Sequence, residues 1–330
     1  MHNKLNIAIL AGGNSSEEEI SLNGAKQIGR WLDSSRYSIY PIVIKGTSWT
    51  LRHPELGDIP VSKDEFTVTA NGQRIRFDCA LIAIHGTPGE NGLLQGYLEM
   101  IGIPYTTGGV MNTSLTFNKF YCKELVAQTG VNLGKGLLLR KGRSYNPESI
   151  VNQLGLPLFV KPNESGSSYG VSKVKTANEL PGAIAKAFAE DSTIIIEEFI
   201  KGRELTCGLV KTSEQELVFP ITEVVPRNEF FDYNAKYLNQ SEEITPAPIP
   251  QELNDMIKRQ SLAIYDRLEC RGIVRIDYIY SNNKLYFLEI NTVPGMSEAS
   301  IVPQMVAAMG KSMNEVFGMV IDDAIRRVGQ

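Results

Sequence analysis

The stretch that decides how this chain is read opens with Arg275-Ile276-Asp277. It crosses a short polar turn, returns as Glu289-Ile290-Asn291-Thr292-Val293-Pro294-Gly295-Met296, and runs on through Ser297 to Ile301. Val274 to Tyr280 and Leu285 to Asn291 are rich in β-branched and aromatic residues, which predicts two strands around a Ser281-Asn282-Asn283-Lys284 turn. Strand side chains alternate, so Arg275 and Asp277 share one face and Glu289 and Asn291 share one face of the partner strand. Asp277 and Glu289 lie on the same face only if paired residue numbers have an even sum. That requires a three-residue loop, 282 to 284, between paired Ser281 and Leu285; a two-residue Asn282-Asn283 turn would put the carboxylates on opposite faces. With the longer loop, two carboxylates and an amide converge on one spot. Such an oxygen-rich set suits Mg²⁺, which takes a few carboxylates together with phosphate oxygens and water. The plainer alternative is an exposed hairpin with an arginine–carboxylate pair. It explains any one of these residues, but not the whole constellation followed by a Pro-Gly turn.

Outward from this hairpin, the bulk properties set bounds. A length of 330 residues predicts two to three domains with ample core. The net charge of −4 and pI near 5.6 argue against an electrostatically driven nucleic-acid binder, so an anionic ligand needs locally placed cations. The four cysteines are scattered without Cys-x-x-Cys spacing, which predicts free buried thiols in a reducing compartment. No basic-then-apolar signal pattern opens the chain, and no run approaches the length of a membrane span. The expectation is a soluble cytoplasmic protein.

Leu5 to Leu10 reads as a buried strand, followed by Gly12-Gly13 and a helix for which Ser16 and Glu19 fit a capping box. The loop lacks the G-x-G-x-x-G spacing of a dinucleotide site. The acidic run Glu17-Glu18-Glu19 either complements the helix dipole or presents one acid to an ammonium group. Ser38 to Ile44 and Asp78 to Ile84 continue the α/β alternation, with a hairpin excursion expected between 45 and 77. The second of these strands ends in the loop His85 to Gly92, where open α/β sheets place ligands. Ile101 to Tyr105 closes this unit near residue 107.

The next unit carries Asn118-Lys119-Phe120 on a helix, a strand ending in Lys161-Pro162, the turn Ser165 to Gly170 and the strand Val171 to Lys175. A Gly/Ser turn between strands exposes N–H groups that can cradle phosphates, with Lys119 and Lys161 supplying charge. A helix from Ala177 to Asp191 and a strand from Thr193 lead to Glu197-Glu198-Phe199-Ile200 and Glu204. That segment is either a purine edge with a ribose-binding acid or an ordinary polar loop. Residues 226 to 250 are long, polar and rich in aromatics, as in a lid. Helices are expected from Glu252 to Leu268 and from Ser312 to Arg327.

Together these motifs resemble the D-alanine–D-alanine ligases of the ATP-grasp superfamily, essentially end to end. The resemblance rests on Gly12-Gly13 to Ser21, His85 to Gly92, Lys161 to Gly170, Tyr233 to Tyr237, Arg275-Ile276-Asp277 and Glu289 to Met296. It implies an α/β chain, α+β in its ATP-binding half: an ATP-grasp fold behind an N-terminal open parallel-sheet domain. The implied domains are 1–107 (first D-alanine subsite), 108–196 (central, with the phosphate lid) and 197–330 (metal site and substrate lid). By resemblance, Lys119 and Lys161 would bind ATP phosphates, and Glu197, Glu198, Phe199 and Ile200 would border the adenine. Glu204 would meet the ribose, with Ser168, Phe230 and Lys236 also on the nucleotide. Asp277, Glu289 and Asn291 would hold two Mg²⁺, or Mn²⁺ in their place. Glu17 would take the ammonium of the first D-alanine with His85 nearby, and Arg275 and the Gly295 N–H would face its carboxylate. Ser300 and Ile301 would hold the second D-alanine, and Ser167, Tyr237 and Glu17 would be linked across the lid. The resemblance also implies a homodimer and neither a nucleic-acid nor a membrane partner.

Three positions depart from the common pattern: Ser165, Glu198 and Ala299. Rival readings are D-alanine–D-lactate or D-alanine–D-serine ligation, another ATP-grasp carboxylate–amine ligase, and a catalytically silent nucleotide-binding regulator. Tyr237, neutral at pH 7 where lactate-using relatives carry a titratable histidine, favours D-alanine as second substrate. Retention of Arg275, both carboxylates, Asn291 and both lysines disfavours the silent regulator.

Overall fold

A five-stranded sheet begins the chain because Ile7 to Ala11 are apolar on both faces and nearly inaccessible. The computed structural model describes residues 4–166, 169–226 and 241–328. Ser167, Ser168, Phe230, Lys236 and Tyr237 therefore lie outside the described residues. In the first unit β1 (Leu5–Gly12) pairs in parallel with β2 (Tyr37–Lys45) on one side. On its other side lies β7 (Cys79–Ile82), also parallel. The expected excursion is two hairpin extensions. β3 (Ser48–His53) and β4 (Gly57–Pro60) extend the first sheet antiparallel, and β5 (Thr67–Ala70) pairs with β6 (Gln73–Arg76). The open parallel sheet thus carries an antiparallel edge.

Helix α1 (Glu18–Trp31) covers one face. The capping box expected at Ser16 does not form: Glu17 is the N-cap residue and makes no side-chain cap bond. The helix is anchored by Ser21 instead. Its buried hydroxyl accepts from Gly12 N (2.9 Å) and donates to the Ala83 carbonyl (2.7 Å), tying α1 to the ends of β1 and β7. Gly12 and Gly13 have φ of +95° and +105°, and a Cβ on Gly12 would sit 2.5 Å from the Ile44 oxygen. Only glycine fits that approach.

After α2 (Leu93–Met100), α3 (Val110–Phe117) and α4 (Lys119–Val126), a four-stranded antiparallel sheet follows in the order β11-β10-β12-β9. Its strands are β9 (Gly136–Arg140), β10 (Leu158–Pro162), β11 (Ser172–Val174) and β12 (Thr193–Glu198). Helices α5 (Pro147–Leu154) and α6 (Leu180–Glu190) back it through Ile150, Leu180 and Ile184 against Leu158 and Ile196.

The largest sheet runs β16-β15-β13-β17-β18-β8, with β14 paired to β13. It comprises β8 (Asn132–Leu133), β13 (Arg203–Lys211), β14 (Glu216–Val218), β15 (Thr222–Pro226), β16 (Ser241–Ile244), β17 (Gly272–Ser281) and β18 (Lys284–Asn291). Helix α7 (Gln251–Arg267) packs beneath it with α4. Helices α8 (Ile301–Ala308) and α9 (Met313–Val328) cross back to the first sheet, where Val316, Phe317 and Val320 join Ile7, Ile9 and Ile28 in one core. The end of the chain thereby holds the 275–301 stretch against the first unit. None of the helices, among the described residues, is long and apolar enough to cross a membrane.

Candidate active site

The Arg275–Asn291 hairpin does form, but its turn differs from the expected one. Ser281 pairs with Lys284 across a two-residue turn, with Asn282 and Asn283 at φ +49° and +58°. Both residues are left-handed, as the tight I′ hairpin turn requires and as asparagine tolerates. On that register Asp277 and Glu289 would face apart. A β-bulge corrects it: Tyr278 pairs with Phe287 while Asp277 pairs with Glu289, leaving Leu288 as the extra residue. The carboxylates therefore lie opposite each other, and Arg275 opposite Asn291.

Asp277 is the hub of the polar contacts. Its Oδ1 accepts from Thr206 Oγ1 (2.5 Å) and Arg275 Nε (2.9 Å), and its Oδ2 from Arg275 Nη2 (2.8 Å) and Asn291 Nδ2 (3.1 Å). As metal ligands, Asp277, Glu289 and the Asn291 amide offer hard oxygens of the type Mg²⁺ prefers. Among the described residues no three His, Cys, Asp or Glu side chains cluster tightly enough to hold an ion alone. An ion here would complete its shell from phosphate or water, as Mg²⁺ does, so the donor set fits.

These residues line a cavity of about 580 Å³ between the second and third sheets. The cavity gathers Lys119, Lys161, Glu197, Glu198, Phe199, Ile200, Glu204, Arg275, Asp277, Glu289, Asn291 and Ile301 from the sequence reading. Asn118 caps α4 by accepting from Tyr121 N (3.1 Å), and its amide reaches Glu164 (2.6 Å). Lys119 N donates to the Asn163 carbonyl (3.1 Å), and Lys119 Nζ donates to the Ser165 carbonyl. The start of α4 is thus clamped to the Gly/Ser turn. The Glu198 carboxylate accepts from Lys135 N (2.8 Å), and Lys173 lies 4.1 Å from the Phe199 ring centroid.

Two residues in the cavity wall were missed by the sequence reading. Lys123, one helical turn after Lys119, contacts the buried Glu197 carboxylate, whose other oxygen meets Lys161 Nζ at 2.9 Å. Burial, then the like charge of Lys161, pulls the Lys123 ammonium down to about 7, with Glu289 opposing. Its i, i+4 spacing from Lys119 was the available signal. Glu90 is the other. It accepts from Gly86 N (2.7 Å), and burial, then the negative charge of Glu17, pushes its carboxyl up to about 8.

Glu17, His85, Gly295 and Ser300 stand beside the cavity rather than in its wall. Of the acidic run, Glu17 is buried, Glu18 pairs with Lys45 (2.9 Å) and Glu19 is exposed. Ser15 holds the bend by donating to the His85 carbonyl (3.0 Å) and accepting from Glu17 N (3.3 Å). A Cβ on Gly166 would lie 2.2 Å from Glu17 Oε2, so the Gly/Ser turn closes directly on this carboxylate. His85 is buried and lowered by that burial, with Glu17 opposing and Arg275 adding to the fall, so its imidazole is neutral at pH 7. Gly295 lies against Ser300, whose Oγ accepts from Ser297 N (3.0 Å). Carboxylate, imidazole and guanidinium from three distant stretches thus meet at the mouth of a lysine-lined cavity.

Comparison with known proteins decides the family. Models described as "D-ala D-ala ligase N-terminus" and "D-ala D-ala ligase C-terminus" match residues 6–108 and 125–322. The chain belongs to the D-alanine–D-alanine ligase family. It is 46% identical over 321 residues to the D-alanine--D-alanine ligase of Phocaeicola vulgatus, covering 97% of this chain and 99% of that one. Among solved structures it is similar to the VanG D-Ala:D-Ser ligase from Enterococcus faecalis, at TM-score 0.84 and 29% identity over 99% of this chain and all of that one. It is also similar to a D-alanine--D-Alanine ligase from Bacillus anthracis complexed with ATP, at TM-score 0.78 and 28% identity over 98% and 99% of the two chains.

Glu90 generates a pH prediction. A carboxyl whose folded pKa lies above its ordinary 4.5 binds more protons folded than unfolded, so folding stability falls as pH rises from 4.5 to about 8. Glu90→Gln keeps an acceptor for Gly86 N–H and cannot ionise. Its melting temperature relative to the wild type is expected to climb between pH 5 and pH 8 and level off above. A difference that stays flat across that range would refute the assignment.

Proposed function

We propose that this chain joins two D-alanines into D-alanyl-D-alanine with consumption of ATP, through an acyl phosphate, and so supplies peptidoglycan synthesis. The observation that carries the reading is the in-register Asp277–Glu289 pair, with Arg275 beside it, facing the cavity of Lys119, Lys123 and Lys161. A carboxylate is a poor electrophile, and phosphorylation by ATP makes it one. Glu17 would take the ammonium of the first D-alanine, with neutral His85 beside it. The adenine would lie along Glu197 to Ile200 with its ribose at Glu204. Phosphates would lie at Lys119 and Lys161 beneath the Gly166 turn. Two Mg²⁺, or Mn²⁺, held by Asp277, Glu289 and Asn291 would neutralise charge on the transferring phosphate.

ATP leaves as ADP once its γ-phosphoryl group is on the first carboxylate. The amine of the second D-alanine, seated at Ser300 and Ile301, then attacks the acyl carbon. The C–N bond forms as the C–O bond to phosphate breaks and inorganic phosphate departs. Arg275 and the Gly295 N–H stabilise the tetrahedral oxyanion. Water must be excluded from an acyl phosphate, and the Gly166 turn closing on Glu17 serves that need. In this reading Ser167 and Tyr237 complete the link to Glu17, and Ser168, Phe230 and Lys236 join the nucleotide. Residues 1–107, 108–196 and 197–330 serve as first-substrate, central and metal-bearing units. A cytoplasmic setting fits four buried free thiols. The chain is proposed to dimerise through α2 and α3, where Leu93, Met100 and Met111 are exposed, Met100 to 89%.

Purified protein given ATP, Mg²⁺ and D-alanine is expected to release phosphate and form D-alanyl-D-alanine. Preferential formation of D-alanyl-D-lactate or D-alanyl-D-serine when those partners compete would overturn the specificity. Glu289→Gln is expected to abolish turnover with an unchanged circular dichroism spectrum; near-wild-type turnover would remove the metal assignment. Sedimentation velocity is expected to show a dimer that Met100→Glu with Met111→Glu dissociates. A wild-type monomer, or a dimer indifferent to both changes, would reject the interface.

A further inference from the structure

The turn that carries Ser300 is fastened from outside the catalytic set. Gln304, in the first turn of α8, uses both protons of its amide: one goes to the Ala299 carbonyl (3.0 Å), the other to Glu243 Oε2 (2.9 Å). Glu243 lies on β16, the strand that follows residues 227–240, and β16 pairs with β15 on their other side. Burial pushes the Glu243 carboxyl up while the Gln304 hydrogen bond and the charge of Arg275 hold it down. On its opposite flank the same turn is held by Gln27 of α1, which donates to Glu298 (3.3 Å).

We propose that Glu243 and Gln304 form a positioning pair that sets the second-substrate turn against the strand bordering residues 227–240. This rests on the ligase reading above. The physical reason is geometric. Ser300 and Ile301 sit where an exposed loop enters a helix, and the bonds of Ser300 to Ser297 (3.0, 2.8 and 2.9 Å) fix the shape of that turn but not its place relative to β16. A charge-assisted hydrogen bond from Gln304 to Glu243 fixes that turn relative to β16, and the Ala299 bond carries the restraint to the residue beside Ser300. The pair touches no reacting atom. Its effect falls on the second amino acid alone, because Lys119, Lys161 and Glu17 are positioned by other contacts.

Steady-state kinetics that resolve the two D-alanine sites test the pair. Glu243→Ala and Gln304→Leu are each expected to raise KM for the second D-alanine about tenfold, the size of one charge-assisted hydrogen bond. KM for ATP and for the first D-alanine should stay within about twofold, and melting temperatures should be unchanged within a few degrees. The double variant should lose no more than Gln304→Leu alone, because that change already removes the bond to Glu243 together with the one to Ala299. Glu243→Gln, which keeps an acceptor oxygen, should stay close to wild type. Unmoved second-site KM, a parallel rise in all three constants, additive losses, or a Glu243→Gln as impaired as Glu243→Ala would each overturn the pair. A wild type that forms no dipeptide would sink the ligase reading itself, whereas an active wild type with unmoved variants would sink only this inference.

Discussion

The bulge at Leu288 is the constraint on which the polar site depends. A tight Asn282-Asn283 turn fixes one register for the hairpin, and strand alternation would then turn Glu289 away from Asp277. One unpaired residue shifts everything beyond it by a single step. Glu289, Asn291 and the loop onward to Gly295 inherit that shift. A longer turn would have reached the same pairing, but at the exposed tip; the bulge makes the correction next to the residues that need it.

Charge balance inside the cavity is built from both of its sheets. Lys123 and Lys161 share the buried Glu197 carboxylate, and Arg275 closes on Asp277. Buried ions are costly unless each has a partner, so the cations needed for an anionic ligand are held in place by carboxylates until it arrives. Glu197 thereby acts on the lysines as well as bordering the cavity. Glu90, pushed towards its neutral form beside Glu17, keeps a second negative charge from forming there.

The amino-acid side of the site has a different construction. Glu17, His85, Arg275 and Gly295 come from three separate stretches, and they meet because α8 and α9 pack on the first sheet. Ser21, Ser15 and Gly12 lock the first loop by bonds to the ends of β1 and β7. Gly166 completes the arrangement, since any side chain there would collide with Glu17.

Much of this was legible in the sequence, and the boundary between what was and was not is physical. Alternation and β-branched content located β1, β2, β7, β10, β11, β12, β17 and β18 but missed β8, β9 and β13 to β16, and motif order carried the family and picked out the lysines and the Asp277–Glu289 pair that line the cavity. Local signals also misled: Ser16 and Glu19 have capping-box spacing, yet Ser15 and Ser21 hold that end through bonds to strands far along the chain. The hairpin shows the same limit, because period-two reasoning counts residues and cannot see one that the ladder skips. Which of three consecutive glutamates is buried, and that Lys123 reaches Glu197, depend on contacts 70 or more residues apart. The sequence by itself determined the residue types and the faces they can occupy. Only tertiary packing decided which face is inward, where the register slips, and which charges meet, because those follow from long-range contacts that no local pattern encodes.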